Sequence, residues 1–284
     1  MSAVWTWASD WPAPAKLNLF LHVVGQRPDG YHLLQTVFRF LDHGDRLRFQ
    51  PRDDGAVVLE TPLPGVPPDS DLTVRAARLL QSSTGCRQGV RIFLDKRLPL
   101  GGGLGGGSSD AATVLLALNH LWGLGLSRSR LQELGLALGA DVPVFVFGRN
   151  AFAEGVGERL LPVDLPEAWY LVLEPPVAVP TQDIFRAPDL CRATPPLSAE
   201  NWRPGDGRND LEPVACRLFP EVGEHLDWLR RRAGAEGSRM SGSGACVFAA
   251  FAGEAEARQL ARQLPAGWQG WVAQGLAAHP LLGL

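Results

Sequence analysis

Along the first third of the chain, apolar residues gather in short runs broken by Pro, Gly and Asp clusters. Lys16–Val24 (KLNLFLHVV), Arg46–Gln50, Val57–Glu60 and Val90–Leu94 read as strands and predict a largely antiparallel sheet. Over Asp71–Gln81 the period becomes helical, placing Leu72, Ala76, Leu79 and Leu80 on one stripe. Ser108–Trp122 is too densely apolar for a surface helix, which predicts a central, buried one. A further helix over Ser129–Leu138 ends at Gly139, after which Asp141-Val142-Pro143 leads into the apolar run Val144–Phe147. Composition shifts around Gly148–Gly157, and the later half has its own strand, Trp169–Glu174, and helices, Leu211–Leu218 and Val222–Ala233. That shift predicts a domain boundary near residue 155. Residues 175–213, rich in Pro, Asp, Arg and Asn, suit either a disordered surface excursion or a segment that covers a substrate. No fixed-period repeat or heptad pattern is present, which excludes solenoids and rods.

Composition narrows the classes of function. With 284 residues, 45% of them apolar and 20% charged, the chain forms one large or two modest globular domains. Its 27 Lys and Arg against 30 Asp and Glu leave a net charge of −3, without the positive field that nucleic-acid binders use. The four cysteines, at 86, 191, 216 and 246, form no close pair of the zinc or redox kind, so buried free thiols in a reducing compartment are expected. No run approaches the roughly 20 apolar residues of a membrane span, and Met1–Trp11 has no basic segment followed by an apolar one. A cytoplasmic, soluble protein with neither nucleic-acid nor membrane partner is the expectation.

The strongest chemical signal is Pro99-Leu100-Gly101-Gly102-Gly103-Leu104-Gly105-Gly106-Gly107-Ser108-Ser109-Asp110, which runs straight into the predicted central helix. Six glycines in seven positions leave backbone N–H groups free to curl round a ligand. A helix N-terminus follows at once, with unpaired N–H groups and the positive end of the helix dipole, so the segment reads as a phosphate cradle. A flexible linker would not explain why the glycines abut a helix start. Walker chemistry is excluded, because no lysine lies inside the loop. A Gly-x-Gly-x-x-Gly match at Gly101, Gly103 and Gly106 keeps a dinucleotide-binding oxidoreductase as the alternative. Against it, Asp95–Pro99 separates strand from glycines, and Asn119–Arg130 holds no carboxylate at the expected acidic position. A second glycine-rich segment, Arg239–Cys246, precedes the apolar strand Val247–Phe251 and suggests a second backbone wall around one polyanion.

Two isolated charges stand in apolar ground. Asp141 could cap a helix or act as a catalyst; Lys16 could snorkel at a strand end. Should they meet, the lysine would hold the aspartate ionised beside a substrate hydroxyl, an arrangement suited to phosphoryl transfer. The six histidines show no metal-ligand spacing. His32, in Asp29-Gly30-Tyr31-His32, follows a turn and an aromatic residue and could bind a planar ring, or simply end an ordinary turn.

Taken in order, Pro14-Ala15-Lys16-Leu17-Asn18-Leu19, Pro28-Asp29-Gly30-Tyr31-His32, Leu98–Ala112, Gly139-Ala140-Asp141-Val142-Pro143-Val144-Phe145, Ala153–Glu158 and Ser241-Gly242-Ser243-Gly244-Ala245-Cys246 resemble a known set. The glycine loop is similar to that of the GHMP superfamily, which includes galactokinase, homoserine kinase, mevalonate kinase and phosphomevalonate kinase. The other segments resemble, within it, the 4-diphosphocytidyl-2-C-methyl-D-erythritol kinases, from about Pro14 to Gly275. The resemblance implies an α/β (α+β) two-domain GHMP-kinase fold. Its first part is a ribosomal-protein-S5-domain-2-like sheet-and-helix domain over 1–155, which binds nucleotide and substrate and takes a last strand returning from 273–284. Its second is a ferredoxin-like α+β domain over 156–272.

By the same resemblance the activity is ATP-dependent phosphorylation of the 2-hydroxyl of the cytidine diphosphate sugar alcohol, in the non-mevalonate route to isoprenoids. ATP would lie on Pro99–Ser109, with Asp71 and Leu72 near the adenine. Asp141 and Lys16 would be the catalytic pair, and Asn18, Tyr31, His32 and Phe185 the substrate contacts. Mg²⁺ would arrive with ATP, with Ser109 as a candidate ligand, and the protein would act as a monomer or weak homodimer. Asp71 departs from the family's usual asparagine, exchanging an amide for an acceptor-only carboxylate. Asp110, an acid at the helix start, must point away from a bound phosphate. Another small-alcohol kinase of the superfamily, or an idle nucleotide-binding protein on the same fold, are the remaining readings.

Overall fold

The computed structural model describes residues 4–284; residues 1–3, at the start of the expected first domain, lie outside the described residues. Its first sheet is built on a long hairpin, β1 (Trp11–Gln26) and β2 (His32–Arg52), paired antiparallel from Trp11–Leu47 to Gln26–His32. The expected strand at Arg46–Gln50 is only the end of β2. Gly44, Asp45 and Pro51 look like breakers in sequence, yet they sit within a strand that curves and bulges. On β2 also pair β4 (Gly89–Asp95), with β3 (Val57–Leu59) parallel beside it, and β5 (Ala151–Glu154), followed by β6 (Arg159–Pro162). Because the β5–β6 hairpin belongs to this sheet, the sheet runs on through residue 155 to Pro162.

Helices α1 (Leu72–Thr84), α2 (Gly106–Leu121), α3 (Arg128–Leu136) and α4 (Val142–Phe147) cover the sheet. α2 is the central helix that its composition predicts, with Ser109–Leu118 buried throughout. The apolar run Val144–Phe147 belongs to α4, whose residues Val142–Val146 are all buried; periodicity cannot separate one and a half buried turns from a buried strand. The core joins Phe38, Phe40, Leu47 and Ile92 to Val114, Leu118 and Phe145.

A second, antiparallel sheet has the order β10 (Gln269–Gln274), β7 (Trp169–Glu174), β9 (Val247–Phe251), β8 (Ser238–Met240). Helices α7 (Pro220–Ala233) and α8 (Glu254–Ala261) lie against it, with α6 (Glu212–Leu218) beside α7. Between the sheets, Ala15, Leu17, Leu41, Leu98 and Leu104 pack on Tyr170, Val172, Cys246 and Phe248. Residues 175–213 are an ordered excursion. They carry α5 (Thr181–Arg186) and bond to β1 through Thr194 N–H to Val23 O and Leu21 N–H to Arg208 O, while Trp202 stacks on Phe20.

The strand expected over 273–284 is not one. β10 stays in the second sheet to Gln274, after which single bridges pair Gly275 with Leu41 and Ala278 with Arg149, and His279 and Leu281 are buried. The cysteines are free, but only Cys246 is buried; Cys86 and Cys216 are half-buried and Cys191 is exposed. Among the described residues, no helix is long and apolar enough to cross a membrane.

Candidate active site

β1 brings Lys16 and Asn18 to one place. Two residues apart on a strand, they share a face, and register shifts on either side of them, at Pro14/Lys16 and Asn18/Leu21, turn that stretch of the strand. Thr36 and Phe38 of β2 share the same face in the same way, and all four line a cleft of about 320 Å³ between the two sheets. Gly101, Gly103, Gly105 and Ser108 form one wall and Gly242 and Ser243 part of another, with Thr181 and Phe185 of α5 across the mouth.

Lys16 and Asp141, 125 positions apart (141 − 16), meet in this cleft: Nζ lies 3.3 Å from Asp141 Oδ2. Asp141 stands at the N-cap position of α4 but makes no capping bond, so its carboxylate is not committed to the helix. Its side chain is 35% exposed and therefore reachable by a substrate, whereas that of Lys16 is only 3% exposed. The ammonium also donates to Asn18 Oδ1 at 2.5 Å and to Gly103 O at 3.0 Å. Three N–H bonds thus face three acceptors, so every donor of the Lys16 ammonium is engaged.

The glycine loop ends as its sequence demands. Gly105 is left-handed (φ +71°) at the N-cap of α2, and the first helical bond is that of Ser109 N–H to Gly105 O. The N–H groups of the turn before it face the cleft end of a buried helix, the geometry of an anion cradle. Ser109 does not serve as a metal ligand: it is fully buried and donates to Pro14 O at 2.7 Å. One helical step of 100° puts Ser108, not Ser109, at the cleft. Asp110 points away from the cradle, to Lys96, whose Nζ lies 2.8 Å from Asp110 Oδ2 and 2.5 Å from Asp45 Oδ2. Asp45 Oδ1 also takes the N–H groups of Arg97 and Leu98, fixing the turn that leads into the loop.

The second glycine segment does more than wall the cleft. Ser241 Oγ donates to Gly103 O at 2.9 Å and accepts from Asn18 N–H, while Cys246 N–H bonds Gly102 O, so the two loops are tied together beside the lysine. Asp71 is buried and caps α1 through Thr73 N–H and Oγ, so Oδ1 is already engaged; Leu72 reaches towards Gly107. His32 and Phe185 stack on each other, 4.8 Å between centroids, and Arg192 Nε donates to His32 Nε2. Burial and the Arg192 guanidinium hold the His32 imidazole below its ordinary pKa. Tyr31 is 66% exposed at the preceding turn. Sequence reasoning missed Thr36, Thr181 and Arg192; the contacts that bring them to the site, with Asn18, Ser243 and His32, are made to other elements.

No group of three or more His, Cys, Asp or Glu side chains could hold a metal ion among the described residues. The cleft offers a single carboxylate, Asp141, with the hydroxyls of Thr36, Ser108, Thr181 and Ser243, of which Ser108 stands at the glycine loop. That donor set fits Mg²⁺ carried on nucleotide phosphates rather than a cage made by the protein. Nor does the dinucleotide reading of Gly101, Gly103 and Gly106 fit, because residues 96–105 separate β4 from α2 where a tight turn is required.

Comparison with known proteins agrees with this geometry. Residues 71–149 match the family of GHMP kinases N terminal domains, and residues 195–270 match GHMP kinases C terminal. A 4-diphosphocytidyl-2-C-methyl-D-erythritol kinase of Dechloromonas aromatica (strain RCB) is 64% identical over 95% of this chain and 98% of its own. That of Thiobacillus denitrificans (strain ATCC 25259 / T1) is 63% identical over 95% of this chain and 96% of its own. The crystal structure of a 4-(cytidine 5'-diphospho)-2C-methyl-D-erythritol kinase superposes with a TM-score of 0.81 at 40% identity, over 94% of this chain and 99% of that one. Homoserine kinase from Cytophaga hutchinsonii, 17% identical, shares the fold with a TM-score of 0.69 over 98% of both chains. The chain therefore belongs to the 4-diphosphocytidyl-2-C-methyl-D-erythritol kinase family of the GHMP kinases.

Proposed function

We propose that this protein transfers the γ-phosphoryl group of ATP to the 2-hydroxyl of 4-diphosphocytidyl-2-C-methyl-D-erythritol, giving the 2-phosphate and ADP on the non-mevalonate route to isoprenoids. The observation that carries the reading is the Lys16–Asp141 contact at 3.3 Å, set between two glycine loops at the start of a buried helix. Phosphoryl transfer asks a protein mainly for positioning and charge stabilisation. The glycine loop Pro99–Ser109 and the first turn of α2 supply N–H groups for the phosphates, with Leu72 on the adenine side. Asp141 accepts the hydroxyl hydrogen and aims the oxygen. A bond forms from that oxygen to the γ-phosphorus as the bond to the bridging oxygen of ADP breaks, and the proton leaves through the carboxylate. Lys16, 3.3 Å away, holds the Asp141 carboxylate in place beside the hydroxyl. When bound, Mg²⁺ neutralises charge on the phosphates; Ser108 and Asp141 are the residues that would hold it.

Asn18 faces the sugar alcohol, and Tyr31, His32 and Phe185 form the cytosine end. Because His32 and Phe185 already stack, a base uses their outer faces or parts them. The first sheet and its helices, up to Pro162 and joined by the 275–284 return, act as the nucleotide- and substrate-binding domain, and the second sheet with its helices as the second. The reading includes action in the cytoplasm, as a monomer or weak homodimer.

The test is turnover of ATP·Mg²⁺ with the cytidyl alcohol beside mevalonate, homoserine and galactose, in the parent and in Asp141→Asn. Turnover confined to the cytidyl alcohol, with a loss of about a hundredfold or more in kcat and little change in ATP affinity in the variant, is expected. Near-normal kcat in Asp141→Asn overturns the role of Asp141, and equal turnover of another alcohol overturns the substrate.

A further inference from the structure

Behind the catalytic lysine lies a chain of hydrogen bonds whose direction is forced from its far end. Phe20 O can only accept, so the hydroxyl of Thr36, 2.5 Å away, gives its hydrogen there. With that hydrogen committed, Thr36 Oγ1 is left to accept, and Asn18 must present Nδ2 to it, at 2.9 Å. The amide is thereby oriented with Oδ1 towards Lys16, whose Nζ donates at 2.5 Å. Thr36 and Asn18 are each only 3% exposed, so no water competes to turn the amide round. Reversed, the amide would aim N–H groups at an ammonium.

We propose that Thr36 is a positioning residue of this kinase: through Asn18 it sets the polarity of the contact that aims Lys16 at Asp141. This inference rests on the reading of Lys16 and Asp141 as the reacting pair. It separates Asn18's two ends, one committed to Thr36 and the other to the lysine. It also explains a buried hydroxyl in the strand opposite Lys16 where an apolar residue would pack as well.

The test uses Thr36→Val, which keeps the shape and removes the hydroxyl, and Thr36→Ser, which keeps the hydroxyl. Lys16→Met is assayed beside them. Thr36→Val is expected to lower kcat by at least about tenfold while KM for ATP stays within about twofold, and Thr36→Ser to stay near the parent. A purely structural role would instead lower the thermal midpoint of both variants without this split. A second readout needs no turnover: in ¹⁵N-labelled protein the Asn18 side-chain NH₂ signals are expected to be slow to exchange in the parent and Thr36→Ser, and fast in Thr36→Val. Unchanged kcat or unchanged exchange in folded Thr36→Val overturns the proposal. Should Thr36→Val not fold, fast exchange in Thr36→Ser overturns it, and parent-like exchange there supports it. Full activity in Lys16→Met would overturn the underlying reading of the pair, and so is distinguishable from failure of Thr36 alone.

Discussion

Two alanine substitutions in the glycine loop separate backbone conformation from contact. Gly101 and Gly103 have nearly the same left-handed φ, +69° and +72°, so a Cβ at either carries the same conformational cost, about 1–2 kcal/mol. Their surroundings differ. A Cβ on Gly101 meets nothing within 4 Å, whereas one on Gly103 would lie 2.0 Å from Ser241 O and 3.0 Å from Gly244 O. Both are backbone atoms of the second glycine loop, so one loop must move by more than an ångström. The move breaks the bonds that converge on Gly103 O, from Ser241 Oγ and from Lys16 Nζ. A neutral bond contributes about 0.5–1.5 kcal/mol and a charged one about 1.5–3 kcal/mol, so Gly103→Ala is expected to lose roughly 2–4 kcal/mol beyond Gly101→Ala. At about 2–4 °C per kcal/mol for a chain of this size, Gly101→Ala shifts the thermal midpoint by a few degrees and Gly103→Ala by about 10 °C or more. Kinetics should divide likewise: Gly101→Ala keeps kcat within about threefold, and Gly103→Ala, with Lys16 released from one acceptor, loses at least about tenfold. Thermal melts and initial rates on the two purified variants decide it. Equal shifts and equal rates would refute the claim that Gly103 is a junction between the loops.

Lys96→Met leaves the buried Asp45 and Asp110 carboxylates without their cation and should cost about 3–5 kcal/mol in urea unfolding, part of it recovered by adding Asp110→Asn. Burial drives the Asp110 carboxyl well above its ordinary pKa, against the pull of Lys96 and with Asp45 adding to the rise. The native state therefore keeps a proton that the unfolded chain has released, and stability falls as pH climbs above the usual carboxylate range. Asp110→Asn should flatten that slope in melts taken at a series of pH values. His279 has the opposite sign: complete burial, with Arg128 nearby, lowers its pKa to about 3, so the unfolded chain takes up a proton below 6.5 that the native one refuses. Stability should drop as pH falls through that window, by up to about 1.4 kcal/mol per unit, and His279→Asn, whose Oδ1 can take the Leu281 N–H in place of Nδ1, should remove the drop. Identical acid slopes for parent and variant would show that His279 is not held neutral.

Local chemistry made the glycine loop, the central helix and the unusual placing of Lys16 and Asp141 legible in the amino-acid sequence. Each of those signals is contained within a few neighbouring residues. What escaped depends on distant partners. β2 could not be read as one strand, because the Gly44-Asp45 pair mimics a turn and only its pairing with β1, β4 and β5 holds it extended. Ser108 and Ser109 are chemically identical, and only the rotation of α2 decides which faces the cleft; with Ser109–Leu118 buried on every side, no apolar stripe marks that rotation in the sequence. Thr36 resembles any strand threonine until pairing with β1 brings the Asn18 amide within a hydrogen bond of it. The resemblance to a family supplied the meeting of Lys16 with Asp141, which spacing alone left open.

The return of residues 275–284 to the first sheet has a consequence for how the protein is made. Gly275 O accepts from the buried Arg39 guanidinium, Asn150 Nδ2 donates to Leu276 O and Ala277 O, and Arg128 bonds the carbonyls of Leu281 and Leu282. Each of these donors emerges from the ribosome long before its acceptor, and at 5–20 residues per second the wait is on the order of ten seconds. During it, the first half of the chain holds an uncapped guanidinium and an open core. Order of synthesis and order of completion are thus reversed: the part translated first is finished last, after the second sheet has been made. The glycine loop, Lys16 and Asp141 are all present once half of the chain has been translated, yet the second glycine loop that ties to Gly103 and the return that bonds Arg39, Asn150 and Arg128 come only afterwards.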